Sequence, residues 1–189
     1  ALAALEFVIN RQNGSKGCIG IDEMYIDPKL LNEITTLFQN ANVKYANHIF
    51  SEIRAVKTLN EIVKLKKSIN VTEGAISSAI ENINSSTSET ELSYILLDHI
   101  IKNRAFPMLW YIGAGRSSSL IDRESFVSQK ISAGDWIMFD VGCRFDGYGS
   151  DLARSYVFQK PSKRQIKYYK AIQDGREEAI SMIRPGVTP

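Results

Sequence analysis

The sequence predicts an α/β protein of the α+β kind, in which helices and strands occupy separate stretches of the second part of the chain. Apolar residues recur with the period of a helix between residues 59 and 103. Beyond Pro107 this period gives way to short apolar and aromatic runs bounded by glycine, which is typical of strands. The 189 residues, 44% hydrophobic and 23% charged, are sufficient for one globular domain with a small extra lobe.

The first fifty residues resemble the end of an α/β unit. Short apolar runs at residues 7–9 and 19–21 flank a turn at Asn13-Gly14, and residues 28–40 carry apolar side chains at helical spacing. A strand or two and one helix bury too little surface to be stable alone. We therefore expect residues 1–52 to be the end of an N-terminal α/β domain and residues 53–189 to form a second domain.

Three helices of the second domain are predicted from capping boxes, in which a serine or threonine precedes Glu or Gln by three positions. The pairs are Thr58 with Glu61, Ser88 with Glu91, and Ser162 with Gln165. Strands are predicted at residues 108–112, 135–143 and 145–158, and the last two are expected to form an antiparallel hairpin.

Charge and composition argue against several kinds of partner. The 23 basic and 21 acidic residues give a net charge of +2, so we do not expect a strong positive electrostatic field that would attract nucleic acid. No apolar stretch reaches the roughly 20 residues that span a bilayer, and the N-terminus does not resemble a signal peptide. Cys18 and Cys143 are far apart and form no CxxC motif. We expect a cytoplasmic protein without nucleic-acid or membrane partners.

Asp140 and Asp151 are the residues best suited to chemistry. Asp140 lies in an apolar run at residues 136–141 that is expected to be buried on both faces, where an unpaired carboxylate is costly. A turn at residues 144–147 can bring Asp151 beside it, and the two carboxylates repel unless a cation lies between them. Alternatively, Asp140 accepts hydrogen bonds from the backbone or Arg154, and Asp151 caps a turn.

Two further residues are expected near a substrate cleft. Tyr111 lies in the strand predicted at residues 108–112, and Gly115 lies in the turn that follows it. Packing in the core is the alternative role for the tyrosine ring.

Residues 139–154 resemble the signature of the M24 metallopeptidase family, which includes Xaa-Pro aminopeptidases and dipeptidases, methionine aminopeptidases and creatinase. In that family a strand with Asp-x-Gly precedes Gly-Tyr-x-Ser-Asp-x-x-Arg, and Asp140, Gly142, Asp151 and Arg154 stand in this order here. Residues 54–61 are similar to the start of the first helix in the Xaa-Pro branch. The resemblance implies a partial N-terminal creatinase-like lobe followed by the first half of a pita-bread domain.

The resemblance implies that Asp140 and Asp151 are ligands of two divalent metal ions, either Mn, Co, Zn or Fe, and that Arg154 orients a ligating carboxylate. The family's remaining ligands, a histidine and two glutamates, come from a region beyond Pro189. We therefore expect weak or no metal binding by this chain alone, and a longer polypeptide or a second chain to complete the site.

One departure from the family concerns catalysis. Members with activity usually have a histidine near position 122, where it helps to hold the substrate, and this sequence has Asp122. The function that the resemblance implies is removal of an N-terminal residue before proline, and we expect either a homodimer or a second chain that completes the site. The alternatives are a hydrolase or lyase that acts on a carbon–nitrogen bond of a small molecule, and a metal-free peptide-binding module.

Overall fold

The computed structural model describes residues 7, 9, 11, 17–22, 25–119 and 129–188. The chain divides into two compact units, Ala1–Thr58 and Leu59–Pro189. The boundary expected between residues 52 and 53 falls within a helix of the first unit, Asn47–Ala55. The division into an N-terminal α/β domain and a second domain stays a prediction.

The first unit contains a parallel pair of strands joined through a helix. Strand β1 is Cys18–Ile21, helix α1 is Pro28–Leu37, strand β2 is Asn42–Tyr45 and helix α2 is Asn47–Ala55. The Asp27 side chain starts α1 by accepting hydrogen bonds from the backbone N–H groups of Lys29 and Leu30 at 2.8 and 3.2 Å. The helix ends at Leu37, before the predicted end at residue 40.

The second unit consists of three helices and an antiparallel sheet. Strand β4 is central: β3 pairs with one edge of it, and β5 and β6 pair with the other. The predicted hairpin is thus present. The elements are α3 (Leu59–Glu81), α4 (Glu89–Lys102), β3 (Phe106–Ala114), a 3-10 turn (Ser117–Ser119), β4 (Trp136–Phe145), β5 (Tyr148–Gly149), β6 (Leu152–Val157) and α5 (Lys163–Met182).

Capping boxes begin two of these helices, as predicted. At the start of α4, the Ser88 backbone N–H donates to Glu91 at 2.7 Å and the Glu91 N–H donates to the Ser88 hydroxyl at 3.2 Å. Ser162 and Gln165 form the same reciprocal pair before α5. None of the helices in the described ranges is long and apolar enough to cross a membrane.

Helices α3 and α4 pack on one face of the sheet, and the hydrophobic core lies between these two helices and the sheet. In β4, Ile137, Phe139 and Val141 are fully buried, whereas the residues between them are half-buried. The expectation that this run is buried on both faces was wrong, because the helices of the core cover one face and successive strand residues alternate between faces. The combination of helices and an antiparallel sheet confirms the predicted α/β (α+β) class.

Candidate metal centre

Asp140 lies on the face of β4 that is turned away from the buried core. It pairs with Tyr111 of β3 on one side and with Ala153 of β6 on the other. Its neighbours Phe139 and Val141 are fully buried, whereas Asp140 is half-buried. Because successive side chains of a strand point to opposite faces, Asp140 projects from the face that α3 and α4 leave open.

The register of the hairpin brings Asp151 close to Asp140. The final pair between β4 and β6, Val141 with Leu152, places Gly142 opposite Asp151. A Cβ atom added to Gly142 would stand 3.6 Å from the Cα atom of Asp151. Residues opposite each other share a face, as do residues two apart in a strand, so both aspartates lie on one face. Diagonal neighbours of this kind are about 7–8 Å apart.

Helix α3 holds the turn that separates the two aspartates. The Lys64 ammonium group pairs with Asp146 at 2.7 Å, and the Tyr148 hydroxyl donates to Glu61 at 3.1 Å. The hydrogen bond that Lys64 donates to Asp146 raises the pKa of Lys64, and burial together with the bond to Glu61 raises the pKa of Tyr148. The ammonium group therefore stays charged and the phenol stays neutral at neutral pH, and both contacts persist there.

Arg154 has a different partner from the one expected. Its guanidinium group donates to the Glu73 carboxylate at 3.0 Å and to the Ala153 carbonyl at 2.9 Å. In the ladder Arg154 is opposite Phe139, which is fully buried on the helix side. Its side chain therefore leaves β6 on the face opposite to that of Asp140, because the two faces alternate along the strand.

The two residues expected at a cleft lie in different surroundings. Tyr111 is directly opposite Asp140 and shares its face, and its hydroxyl donates to the Ser117 carbonyl at 3.2 Å. Gly115 follows the end of β3 with a φ of 56°, a backbone conformation that favours glycine. The structure thus brings Tyr111 to the aspartates and gives Gly115 a turn-forming role.

The two aspartates suit a divalent metal ion without completing a site. Carboxylate oxygens are preferred by hard and borderline ions. Within residues 25–119 and 129–188 and the shorter described segments before them, no group of three or more His, Cys, Asp or Glu residues could hold a metal. Asp122 lies outside the described residues. A metal pair would therefore need further ligands besides Asp140 and Asp151.

Sequence reasoning missed three buried hydroxyl groups behind the aspartates. Ser68 and Thr72 of α3 meet Ser150, the residue before Asp151, at 2.9 and 2.8 Å between hydroxyl oxygens. The available signal was the position of Ser68 and Thr72, four residues apart on the side of α3 that the helical period assigns to the core.

Comparison with known proteins finds a family whose model matches this chain. The model of metallopeptidase family M24 matches residues 63–189. The Xaa-Pro dipeptidase of Pyrococcus furiosus is 26% identical over 149 residues, which are 77% of this chain and 42% of that protein. The Xaa-Pro dipeptidase of Pyrococcus horikoshii is 25% identical over 181 residues, which are 92% of this chain and 51% of that protein.

A solved structure shares the fold. The X-Pro aminopeptidase of Thermotoga maritima aligns with a TM-score of 0.80 at 21% identity, covering 98% of this chain and 52% of that one. The chain spans about half the length of the relatives it matches. The prediction of a creatinase-like lobe followed by the first half of a pita-bread domain is confirmed at the level of the fold.

Proposed function

Because this chain belongs to metallopeptidase family M24, we propose that the complete protein is a metal-dependent peptidase that removes an N-terminal residue preceding proline. The observation that carries the proposal is the placement of Asp140 and Asp151 on one open face of the sheet. The names of the two Pyrococcus relatives support the choice of Xaa-Pro peptides as substrates.

In this proposal each described residue has a definite task. Asp140 and Asp151 hold divalent ions through their carboxylate oxygens, and Tyr111 borders the same face. When bound, a pair of divalent ions supplies Lewis-acid polarisation of a carbonyl oxygen and a more acidic water. Glu61 and Lys64 keep the intervening turn in place through Tyr148 and Asp146.

The proposed metal site also requires ligands besides those that the described residues supply. Two carboxylates are too few to hold two metals, so we propose that residues outside this sequence, or a second chain, supply the other ligands. A homodimer and a cytoplasmic location belong to the same proposal.

A second function is favoured by Asp122, which stands near the position where the resemblance to the family implies a histidine. An ionised aspartate cannot donate the hydrogen bond that a histidine gives to a substrate. A non-peptidase acting on a carbon–nitrogen bond, or a metal-free peptide-binding module, is therefore the alternative proposal.

The experiment is a measurement of metal content by elemental mass spectrometry, together with hydrolysis of Xaa-Pro dipeptides, on the natural full-length polypeptide. The variants Asp140→Asn and Asp151→Asn remove one carboxylate each. Asp98→Asn is the matched control, because it makes the same change at an exposed residue of α4 that is paired with Lys102 and has no task in the proposed site.

We expect about two equivalents of transition metal in the unmodified protein, with loss of metal and of hydrolysis in the two site variants and retention of both in the control. Metal without Xaa-Pro hydrolysis would favour the non-peptidase. The absence of metal after addition of Mn²⁺ or Zn²⁺ would refute the metallopeptidase and favour the binding module.

A further inference from the structure

Three hydroxyl groups and the thiol of a cysteine are buried together on the helix side of the sheet, and we call these four side chains the hydroxyl cluster. They are Ser68 and Thr72 of α3, Cys143 of β4, and Ser150. The first three are fully buried, and Ser150 is 8% exposed. Because a hydroxyl group loses its bonds to water on burial, such a cluster is tolerated only when its members are hydrogen-bonded to one another or to the backbone.

Ser150 is the centre of the hydroxyl cluster. Its hydroxyl oxygen lies 2.9 Å from that of Ser68 and 2.8 Å from that of Thr72. The Ser150 backbone N–H donates to the carbonyl of Cys143 at 2.9 Å, and the Ser68 hydroxyl lies 2.9 Å from the same carbonyl. Hydrogen bonds from α3 and from β4 therefore fix both the side chain and the backbone of Ser150.

The position of Ser150 bears directly on Asp151, the next residue. A Cβ atom on Gly142 would come within 2.3 Å of the Ser150 carbonyl oxygen, so the two backbones lie closer here than any side chain permits. Asp151 precedes Leu152, the first residue of β6, and is exposed. The hydroxyl cluster fixes the residue on one side of Asp151, and the ladder of β6 fixes the other.

We propose that Ser68, Thr72 and Ser150 are positioning residues for the metal-binding carboxylate of Asp151. Apolar residues of the same size would fill this part of the core at similar stability, because a buried hydrogen bond contributes little net free energy. What the hydrogen bonds add is a fixed direction for the chain at Asp151. This inference rests on the proposed function, since it requires a metal ion at that carboxylate.

The test compares Mn²⁺ affinity, measured by titration calorimetry, with the melting temperature of the metal-free protein, both on the natural full-length polypeptide. Thr72→Val removes one hydroxyl group at constant size, Thr72→Ser retains it, and Ser150→Ala removes the central hydroxyl. Ser93→Ala is the matched control, because Ser93 is 9% exposed and its hydroxyl donates to the Glu89 carbonyl of its own helix at 3.0 Å.

We expect Thr72→Val and Ser150→Ala to weaken Mn²⁺ binding roughly 10-fold or more, as loss of groups that support metal ligands generally does. Thr72→Ser and Ser93→Ala should bind Mn²⁺ as the unmodified protein does. If Ser150→Ala fails to fold, the Mn²⁺ affinities of Thr72→Val and Thr72→Ser decide whether the inference holds.

Two results would overturn the inference and leave the proposed function intact. One is equal Mn²⁺ affinity in every variant. The other is an equal loss in Ser93→Ala, which would reveal general destabilisation. If the unmodified protein binds neither Mn²⁺ nor Zn²⁺, the proposed function is refuted, and the positioning role is refuted with it.

Discussion

Replacing Gly142 by alanine should displace the chain at Asp151, because the added methyl group has no space. Its Cβ atom would stand 2.3 Å from the carbonyl oxygen and 3.3 Å from the carbonyl carbon of Ser150. Carbon and oxygen atoms that are not bonded approach to about 3.3 Å, so the two strands must separate by about 1 Å. Both obstructing atoms belong to the backbone, and no side-chain rotation can relieve the contact.

The expected cost of Gly142→Ala is about 1–3 kcal/mol of unfolding free energy, the usual range for overpacking a core. For a polypeptide about twice as long as this chain, as its relatives are, that is a fall of roughly 1–4 °C in Tm, which differential scanning calorimetry on the natural full-length polypeptide would measure. The same displacement should weaken Mn²⁺ binding, because Asp151 follows Ser150 directly.

Gly175→Ala is the control for Gly142→Ala. Gly175 lies in α5, and a Cβ atom there would meet nothing within 4 Å. This change should raise the free energy of unfolding by roughly 0.5–1 kcal/mol, since alanine favours the helix. A Gly142→Ala protein with unchanged Tm and unchanged Mn²⁺ affinity would refute the close approach of the two strands.

Further substitutions test other parts of the second unit. Ser88→Ala should lower the free energy of unfolding in urea by about 1 kcal/mol, because the helix cap is lost. Leu96→Ala should lower it by about 2–5 kcal/mol, because the change opens a cavity at a fully buried site. Arg154→Gln should cost less than about 1 kcal/mol, because Arg154 and Glu73 are both about half exposed, and should leave Mn²⁺ affinity unchanged. The Ser88 backbone N–H and hydroxyl lower the pKa of Glu91, so the folded protein binds this proton less readily and the contribution to stability is present at neutral pH. The advantage of the unmodified protein over Glu91→Gln should therefore disappear as the pH falls through that lowered pKa, as measured by urea midpoints.

The sequence determined the elements of the second unit, because their signals act over a few residues. The capping boxes at Ser88 and Ser162 join positions three apart, and the change from helical period to short apolar runs marks the start of the sheet. The two aspartates were also identifiable, since the motif that contains them is contiguous from Asp140 to Arg154. That they bind metal stays a prediction.

The tertiary structure alone decided which side chains meet across the unit. Arg154 contacts Glu73, 81 positions away, and Ser150 contacts Ser68, 82 positions away. No local period specifies such partners, because they depend on which face of α3 lies against which face of the sheet. Among the described residues, α3 and α4 cover one face of β4 and not the other, and for that reason Asp140 is half-buried although its segment of sequence is almost entirely apolar.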